Sequence, residues 1–353
     1  MKLHLDKAAF RVLIDAVRAQ SGIREDVLEK DYYVTLVLKE LSVKQQEGLP
    51  AYFKGGTALY KALKMINRFS EDIDLSVDTR ECSRSQSDKR LENATKKYSV
   101  LPRNREEGRT NRSEIITVYD YDPVTVYDEN DALQRFGRLK IEATSFTISE
   151  PVESMEIAPM LYNYATDEQK SILESQYDVK PFPIMTISLE RAYIDKLFAA
   201  EAYTRSSKDP HRAFEAAKHV YDLAVMAKLP RIQNLYNNDD LMAHLLDIRM
   251  EEESGRLDGI PGITPQEFSF FTGIANNRDV MNAYDIMQNQ YVLRKKDRIS
   301  FADAVNAISD IYKTLRKSSA WMHYKLPDAL KQKTTINKSY QNKPEKSNPG
   351  RSK

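Results

Sequence analysis

The sequence predicts an α+β protein in which a small mixed sheet flanked by helices precedes a helical domain. Strand-like runs alternate with helical patterns in the first part of the chain, whereas beyond Met185 apolar residues recur at helical spacing almost to the end. With 353 residues, 41% hydrophobic and 30% charged, the chain can bury a core and form two domains. We therefore expect a mixed domain at residues 1–180, a helical domain at residues 181–330 and a tail at residues 331–353.

The N-terminal part predicts two helices followed by a strand–helix–strand unit. Apolar residues recur at helical spacing over residues 5–17, and a second helix is predicted at residues 27–41. A short buried strand at residues 51–53 leads into a helix at residues 57–66. The next run, residues 71–77, alternates acidic and apolar side chains as a half-buried strand does.

The remainder predicts two more strands and then helices. Residues 80–112 carry ten Lys or Arg and five acidic residues with few large apolar ones, which indicates a basic excursion from the core. Strand-like runs follow at residues 114–123 and 138–146, and four prolines mark residues 151–185 as a mixed junction. The helical pieces beyond it are residues 188–203, 211–227, 239–251, 265–271, 278–288 and 300–315.

Composition and charge exclude several classes of protein. The only cysteine, Cys82, permits no internal disulfide, and no run approaches the roughly 20 uncharged residues that a membrane-spanning helix needs. The charged N-terminus lacks the apolar core of a secretory signal, so we expect a cytoplasmic protein. Residues 331–353 hold seven Lys or Arg and one acid, Glu345. Such a tail is typically disordered, and it could also form a basic arm that contacts nucleic acid.

Asp72 and Asp74 form the most informative pair. Residues two apart in a strand face the same side, so both carboxylates project together while Ile73 and Leu75 pack inward. Two such carboxylates repel unless cations lie between them, and two Mg²⁺ ions about 3.5–4 Å apart are the usual solution in phosphoryl transfer. An edge strand with a solvated acidic face would show the same pattern. A calcium-binding loop does not fit, because Val77 occupies the position that requires glycine.

Gly55 and Gly56 stand between a predicted strand and a predicted helix. Glycine lets the backbone turn sharply and lets a ligand approach closely, and free N–H groups at a helix start favour an anion. Many ordinary turns look like this, so the dipeptide alone is weak support for a phosphate site. The chain contains neither a GxxxxGK[ST] phosphate-binding loop nor an HExxH zinc motif.

Combined, these motifs resemble a known enzyme family. The matching stretches are Lys54–Thr57 (KGGT), Lys61 in the following helix and Arg68–Leu75 (RFSEDIDL). They are similar to the nucleotidyltransferase core of the DNA polymerase β superfamily and, more narrowly, to the AbiEii-like toxins of type IV toxin–antitoxin systems. The resemblance implies a polymerase-β-type core followed by a helical domain that contributes to the nucleotide site.

Later stretches extend the resemblance to about residue 228. The helix around Lys196 is similar to a family helix whose lysine contacts nucleotide phosphates. Asp222 matches a family Arg-Asp-x-Tyr-Asp-Leu pattern, but Lys218 and His219 stand where the family usually has Arg and Asp. This departure puts the nucleotide preference in doubt more than the chemistry.

The resemblance implies a role for each candidate residue. Metal binding, by Mg²⁺ or alternatively Mn²⁺ in a two-metal site, would fall to Asp72, Asp74 and Glu142. Glu142 shares one face of the strand RLKIEATSF with Lys140 and could instead accept the proton of the acceptor hydroxyl. The nucleotide-binding set would be Gly55, Gly56, Thr57, Lys61, Arg68, Ser70 and Lys196. The catalytic residues would be Asp72, Asp74, Glu142, Lys196 and Asp222, with Asp222 orienting Lys196 or the nucleotide.

The reaction that the resemblance implies is transfer of a nucleotide from an NTP, with release of pyrophosphate. We expect an RNA acceptor, with the tRNA 3′ end as the specific candidate, and an antitoxin encoded alongside the toxin. Such a toxin would block translation or growth, as in abortive infection by phage. Three alternatives remain open: transfer onto a protein hydroxyl, a nucleotide-binding module without catalysis, and a DxD glycosyltransferase, which leaves the Gly-Gly-Thr turn unexplained.

Overall fold

The computed structural model describes residues 2–126, 136–255, 263–328 and 330–331, and its fold is α+β as the sequence predicts. The strands are β1 (Ala51–Lys54), β2 (Ile73–Val77), β3 (Arg103–Thr110), β4 (Glu114–Asp120), β5 (Arg138–Thr144), β6 (Val152–Ile157) and β7 (Phe182–Ile187). The helices of the first half are α1 (Lys7–Ser21), α2 (Glu25–Gln46), α3 (Gly55–Lys61), α4 (Arg84–Thr95), α5 (Met160–Asn163) and α6 (Asp167–Tyr177).

The second half of the described chain is helical. Its α-helices are α7 (Leu189–Arg205), α8 (Pro210–Met226), α9 (Pro230–Leu235), α10 (Asp239–Gly255), α11 (Phe270–Gly273), α12 (Arg278–Tyr291), α13 (Phe301–Leu315) and α14 (Ser319–Met322). Most of the predicted tail, residues 332–353, lies outside the described residues. No helix in the described part of the chain is both long and apolar enough to span a bilayer.

One seven-stranded mixed sheet forms the centre of the fold, in the order β3-β4-β5-β2-β1-β7-β6. The β2–β5 and β1–β7 pairs are parallel and the other neighbouring pairs are antiparallel. Phe53, Leu75 and Ile141 are fully buried, and α2 and α4 pack against strands of the sheet. The strand β7 belongs to this sheet although it follows the predicted domain boundary at residue 180.

The basic stretch at residues 80–112 is not an excursion from the core. It forms α4 and the edge strand β3, and the apolar residues between its charges are buried: Leu91, Ala94, Tyr98 and Leu101. Leu91 and Ala94 form the narrow apolar stripe of α4, which a count of charges hides, and Tyr98 and Leu101 follow the end of this helix. The basic side chains of β3 remain exposed at the edge of the sheet.

Two further segments differ from the sequence-based expectation. The predicted junction at residues 151–185 contains β6 and β7, because Pro183 sits in β7 opposite Glu156 without interrupting the pairing. The helix predicted at residues 57–66 ends at Lys61. The backbone N–H of Leu63 then bonds to the carbonyl of Ala58, and Lys64 adopts a left-handed conformation that turns the chain away.

The segment that precedes β2 is tied to the C-terminal helices. Arg68 forms an antiparallel bridge with Val292, just beyond the end of α12. The Phe69 N–H donates to the Tyr291 carbonyl at 2.7 Å, and the Leu293 N–H donates to the Asn67 carbonyl at 3.0 Å. The chain entering β2 is therefore held by residues more than two hundred positions later.

Candidate active site

Three neighbouring strands carry a row of charged side chains. Lys54 on β1 pairs in register with Asp74 on β2, and Asp74 pairs with Glu142 on the parallel strand β5. Register partners on adjacent strands lie side by side on one face of a sheet. The alternation of the sequence thus brings Asp74 and Glu142 together, as predicted, and adds Lys54, to which sequence reasoning gave no role.

Asp74 lies in an electrostatically unfavourable position. Burial, followed by the nearby Glu142 and Asp72 carboxylates, raises the pKa of Asp74 to about 7, although Lys54 and Lys140 oppose the shift. Burial likewise lowers the pKa of Lys54. Burial disfavours the charged form of Asp74, and the three carboxylates beside two lysines leave one excess negative charge in this region.

Gly55 and Gly56 are required because side chains pack directly on their backbone. Gly55 has φ +77°, and a Cβ added there would lie 2.1 Å from Asp74 Oδ2. A Cβ on Gly56 would lie 2.8 Å from Ser70 Oγ. The two glycines therefore let the start of α3 approach β2 and the segment before it, with Gly55 against one of the predicted metal ligands.

The hydroxyl of Thr57 is engaged with the carboxylate strand. Thr57 is fully buried, and its Oγ1 donates to the backbone carbonyl of Asp72. Thr57 thus fixes the backbone at Asp72. The predicted contact between the Thr57 hydroxyl and a phosphate would therefore compete with its hydrogen bond to the Asp72 carbonyl.

The charged pair Lys140 and Asp72 completes the carboxylate region. Lys140 Nζ lies 2.8 Å from Asp72 Oδ2 and 3.8 Å from Glu142 Oε2. Three carboxylates on adjacent strands are the oxygen donors that Mg²⁺ or Mn²⁺ prefers, so the donor chemistry fits a divalent cation. Nevertheless, no group of three or more potential ligands in the described residues converges closely enough to hold an ion as it stands.

A second cluster joins Arg68, Lys196 and Asp222, all of them buried. Asp222 accepts two hydrogen bonds from Arg68, to Oδ1 at 2.6 Å and to Oδ2 at 2.7 Å, and Lys196 Nζ lies 2.7 Å from Oδ2. Although burial alone would raise it, the two cations hold the pKa of Asp222 well below its usual range. The structure thus brings together three predicted residues from distant parts of the sequence.

Lys61 is not brought to this site. Its Nζ is 2.7 Å from Asp31 Oδ1 and 3.2 Å from the Ala158 carbonyl, and both charged side chains are buried. Asp31 also accepts hydrogen bonds from the Tyr60 hydroxyl and the Met160 N–H. Lys61 therefore stabilises the packing of α3 against α2 in this structure, and Lys54 and Lys140 are lysines that lie beside the carboxylates.

A cavity of about 340 Å³ separates the sheet from α7 and α8. The carboxylates Asp74 and Glu142 lie on one wall and Lys196 on another. Residues that sequence reasoning did not select also line it: Lys54, Arg191, Asp195, Tyr203, Arg212, His219 and Arg249. The helical period places several of them on one face of α7, but the sequence alone could not show which face meets the sheet.

Aromatic and ionic contacts define the helical wall of the cavity. The rings of Tyr203 and His219 stack at 5.4 Å between centroids. Burial, followed by the charge of Lys196, lowers the pKa of His219 well below its usual value, so its ring is neutral. Asp195 is 3.0 Å from Arg191 and 3.2 Å from Arg249, so it belongs to an ionic network that joins α7 to α10.

Residues 36–307, most of the chain, match the profile of the family described as nucleotidyl transferase AbiEii toxin, type IV toxin–antitoxin system. No curated protein sequence matches the chain.

Among solved structures, the chain is similar to MenT4, a nucleotidyltransferase toxin from Mycobacterium tuberculosis, with 12% identity and a TM-score of 0.51 over 95% of this chain and 99% of that one. That similarity supports the fold. The chain also matches JHP933 from Helicobacter pylori with 15% identity and a TM-score of 0.40, over 91% of this chain and 100% of that chain.

Proposed function

The chain belongs to the AbiEii family of nucleotidyl transferase toxins of type IV toxin–antitoxin systems, and on that premise we propose that it transfers a nucleotide from an NTP to the 3′ end of tRNA. It is a nucleotidyltransferase. The observation that carries the proposal is the cavity lined by Asp74, Glu142 and Lys196, with the glycine turn at Gly55 beside them.

The carboxylate wall would hold the metal. Mg²⁺, bound by Asp72, Asp74 and Glu142, would neutralise charge on the transferred phosphoryl group. In this proposal Glu142 also supplies a proton acceptor for the attacking hydroxyl, since it borders the cavity. The acceptor oxygen forms a bond to the α-phosphorus as the bond to the pyrophosphate oxygen breaks.

The opposite wall would hold the triphosphate. Arg68, Lys196 and Asp222 together carry one excess positive charge, and Lys196 reaches the cavity from that cluster. Gly55 and Gly56 keep the start of α3 free of side chains, and Ser70 lies beside Gly56. An anion placed between Lys196 and Lys54 would meet two lysines from opposite sides of the cavity, a suitable arrangement for stabilising phosphate charge.

The edge of the sheet supports an RNA acceptor. Arg109 on β3 pairs with Ile116 on β4, which pairs with Glu142, so this arginine lies two strands away from the carboxylate row. Neighbouring strands are about 4.8 Å apart, which places Arg109 about 10 Å from Glu142 along the sheet. Exposed Arg103 and Arg105 lie on the same strand, which also carries Glu106 and Glu107, and these arginines could contact a phosphate backbone.

The biological setting follows from the family. An antitoxin encoded alongside would counteract the enzyme, and nucleotide addition to tRNA would stop translation in the cytoplasm. A role in abortive infection by phage is the corresponding proposal at the level of the cell.

The test is a transfer assay with Mg²⁺, total tRNA and each of the four α-labelled NTPs. We expect label in RNA with the wild-type protein, a loss of about a thousandfold or more in Asp74→Asn, and full activity in Asp310→Asn, whose carboxylate is exposed on α13. Label in protein instead of RNA would favour a protein hydroxyl as acceptor. Label in neither fraction with any nucleotide would contradict the proposal.

A further inference from the structure

The ammonium group of Lys140 lies among the carboxylates that we assign to metal binding. Its Nζ is 2.8 Å from Asp72 and 3.8 Å from Glu142, and the three side chains are between 21% and 29% exposed. It is therefore neither fully buried nor a solvated surface lysine. It forms the closest ion pair that the described structure gives for Asp72.

Strand register fixes this position. Ile73 of β2 pairs with Ile141 of β5, so the residues before them, Asp72 and Lys140, come level with each other. Lys140 and Glu142 are two apart on β5 and share a face. The register of β2 with β5 therefore places the side chain of Lys140 beside the carboxylates.

A lysine at this position and a metal ion compete for one place. Mg²⁺ requires oxygen ligands at about 2.0–2.1 Å in near-octahedral geometry. An ammonium 2.8 Å from Asp72 takes up the side of the carboxylate that faces Glu142.

We propose that Lys140 is a positioning residue that serves as a built-in counter-ion: it holds Asp72 and Glu142 in the metal-free protein and withdraws when a divalent cation binds. The inference rests on the proposed function of these carboxylates. The flexible four-carbon stem of lysine and its partial exposure permit withdrawal toward solvent. The consequence is that free divalent ions bind weakly to these carboxylates.

The test measures metal binding without turnover. Isothermal titration of Mn²⁺ into nucleotide-free protein should show weak binding for the wild type and binding at least about tenfold tighter for Lys140→Met, because the competing charge is gone. Lys140→Arg, which retains the charge, should stay near the wild-type affinity. Without metal, Lys140→Met should have a lower Tm than the wild type, and Mn²⁺ should restore more of it.

The outcomes separate this inference from the proposed function. A structural role for Lys140 would weaken Mn²⁺ binding in Lys140→Met, whereas a counter-ion role tightens it. Equal affinities, weaker binding in Lys140→Met, or no binding by either protein would overturn the inference. Since calorimetry needs no acceptor, a failed transfer assay contradicts the proposed function and leaves this result standing. Lys140→Gln provides the same test if the methionine variant does not fold.

Discussion

Two charged clusters border the same cavity and differ in how their charges are balanced. In the cluster of Arg68, Lys196 and Asp222, the buried carboxylate accepts two hydrogen bonds from Arg68 and lies 2.7 Å from Lys196 Nζ. In the carboxylate row, Asp74 and Glu142 lie side by side and Asp74 is partly protonated near neutral pH. The first cluster is complete as it stands, whereas the second has more negative charge than its lysines compensate.

The difference shows which cluster holds the fold together and which is arranged for a ligand. The buried carboxylate of Asp222 and its two cations join the segment before β2 to α7 and α8. Removing this carboxylate leaves the two cations without a counter-charge. Carboxylates that lie close together lower the stability of the fold unless a cation binds between them. Such an arrangement is typical of functional sites. Removing a carboxylate should therefore lower the free energy of unfolding in the first cluster and raise it in the second.

The largest effect on stability is expected at Asp222. Asp222→Asn leaves Arg68 and Lys196 buried without a counter-charge, and it should lower the free energy of unfolding by about 3–5 kcal/mol. Urea denaturation of the variant beside Asp310→Asn, an exposed control, measures this. A loss below about 1 kcal/mol would show that the cluster does not hold the helices to the sheet.

Lys61 offers a second buried lysine–aspartate pair for comparison. Lys61→Met should cost about 2–3 kcal/mol, less than Asp222→Asn, because Asp31 keeps its hydrogen bonds from Tyr60 and Met160. The KM for the NTP should stay unchanged at a temperature at which the variant is folded. A KM raised many-fold with stability intact would instead support the phosphate contact that the family resemblance implies.

Alanine substitutions at two glycines distinguish the effect of backbone strain from the effect of contact with Asp74. Gly55 and Gly48 both have positive φ, but only a Cβ at Gly55 meets another group, Asp74 at 2.1 Å. Each change to alanine should cost about 1–2 kcal/mol of stability through strain. Gly55→Ala should additionally lower kcat about a hundredfold by displacing Asp74. Equal kcat values for Gly55→Ala and Gly48→Ala would contradict this.

Removing the carboxylate repulsion should stabilise the protein, in contrast to the changes above. In metal-free protein Asp74→Asn should gain up to about 4 kcal/mol at pH 8. The folded state holds its proton on Asp74 up to a pKa of about 7 while the unfolded chain releases it near 3.8, so the wild type loses stability as pH rises between these values. The stability gap between variant and wild type should therefore close toward pH 4. A gap that is constant with pH would argue against ionic repulsion.

The alternation of a strand let the sequence predict that the side chains of Asp72 and Asp74 lie on the same face of the sheet, because residues two apart in a strand point to the same side. The same rule related Glu142 to Lys140, but no local pattern says which strands become neighbours. The register of β2 with β5 therefore had to come from the structure.

Helices were less informative about the site. Lys61 lies one turn into α3, and the sequence did not show that its side chain would meet Asp31 of α2. Prolines in residues 151–185 hid β6 and β7, since a proline in a strand looks like a break unless its neighbours are known. Asp222, in contrast, was selected through its motif with Lys196 as an expected partner, whereas its contact with Arg68 was revealed only by tertiary packing.

The pairing of Arg68 with Val292 has a consequence for synthesis of the chain. A ribosome delivers residues in order, so β2 and its carboxylates emerge long before the strand partner that fixes the segment leading into them. The packing around the segment that leads into β2 is therefore completed only after the end of α12, Tyr291, has left the exit tunnel.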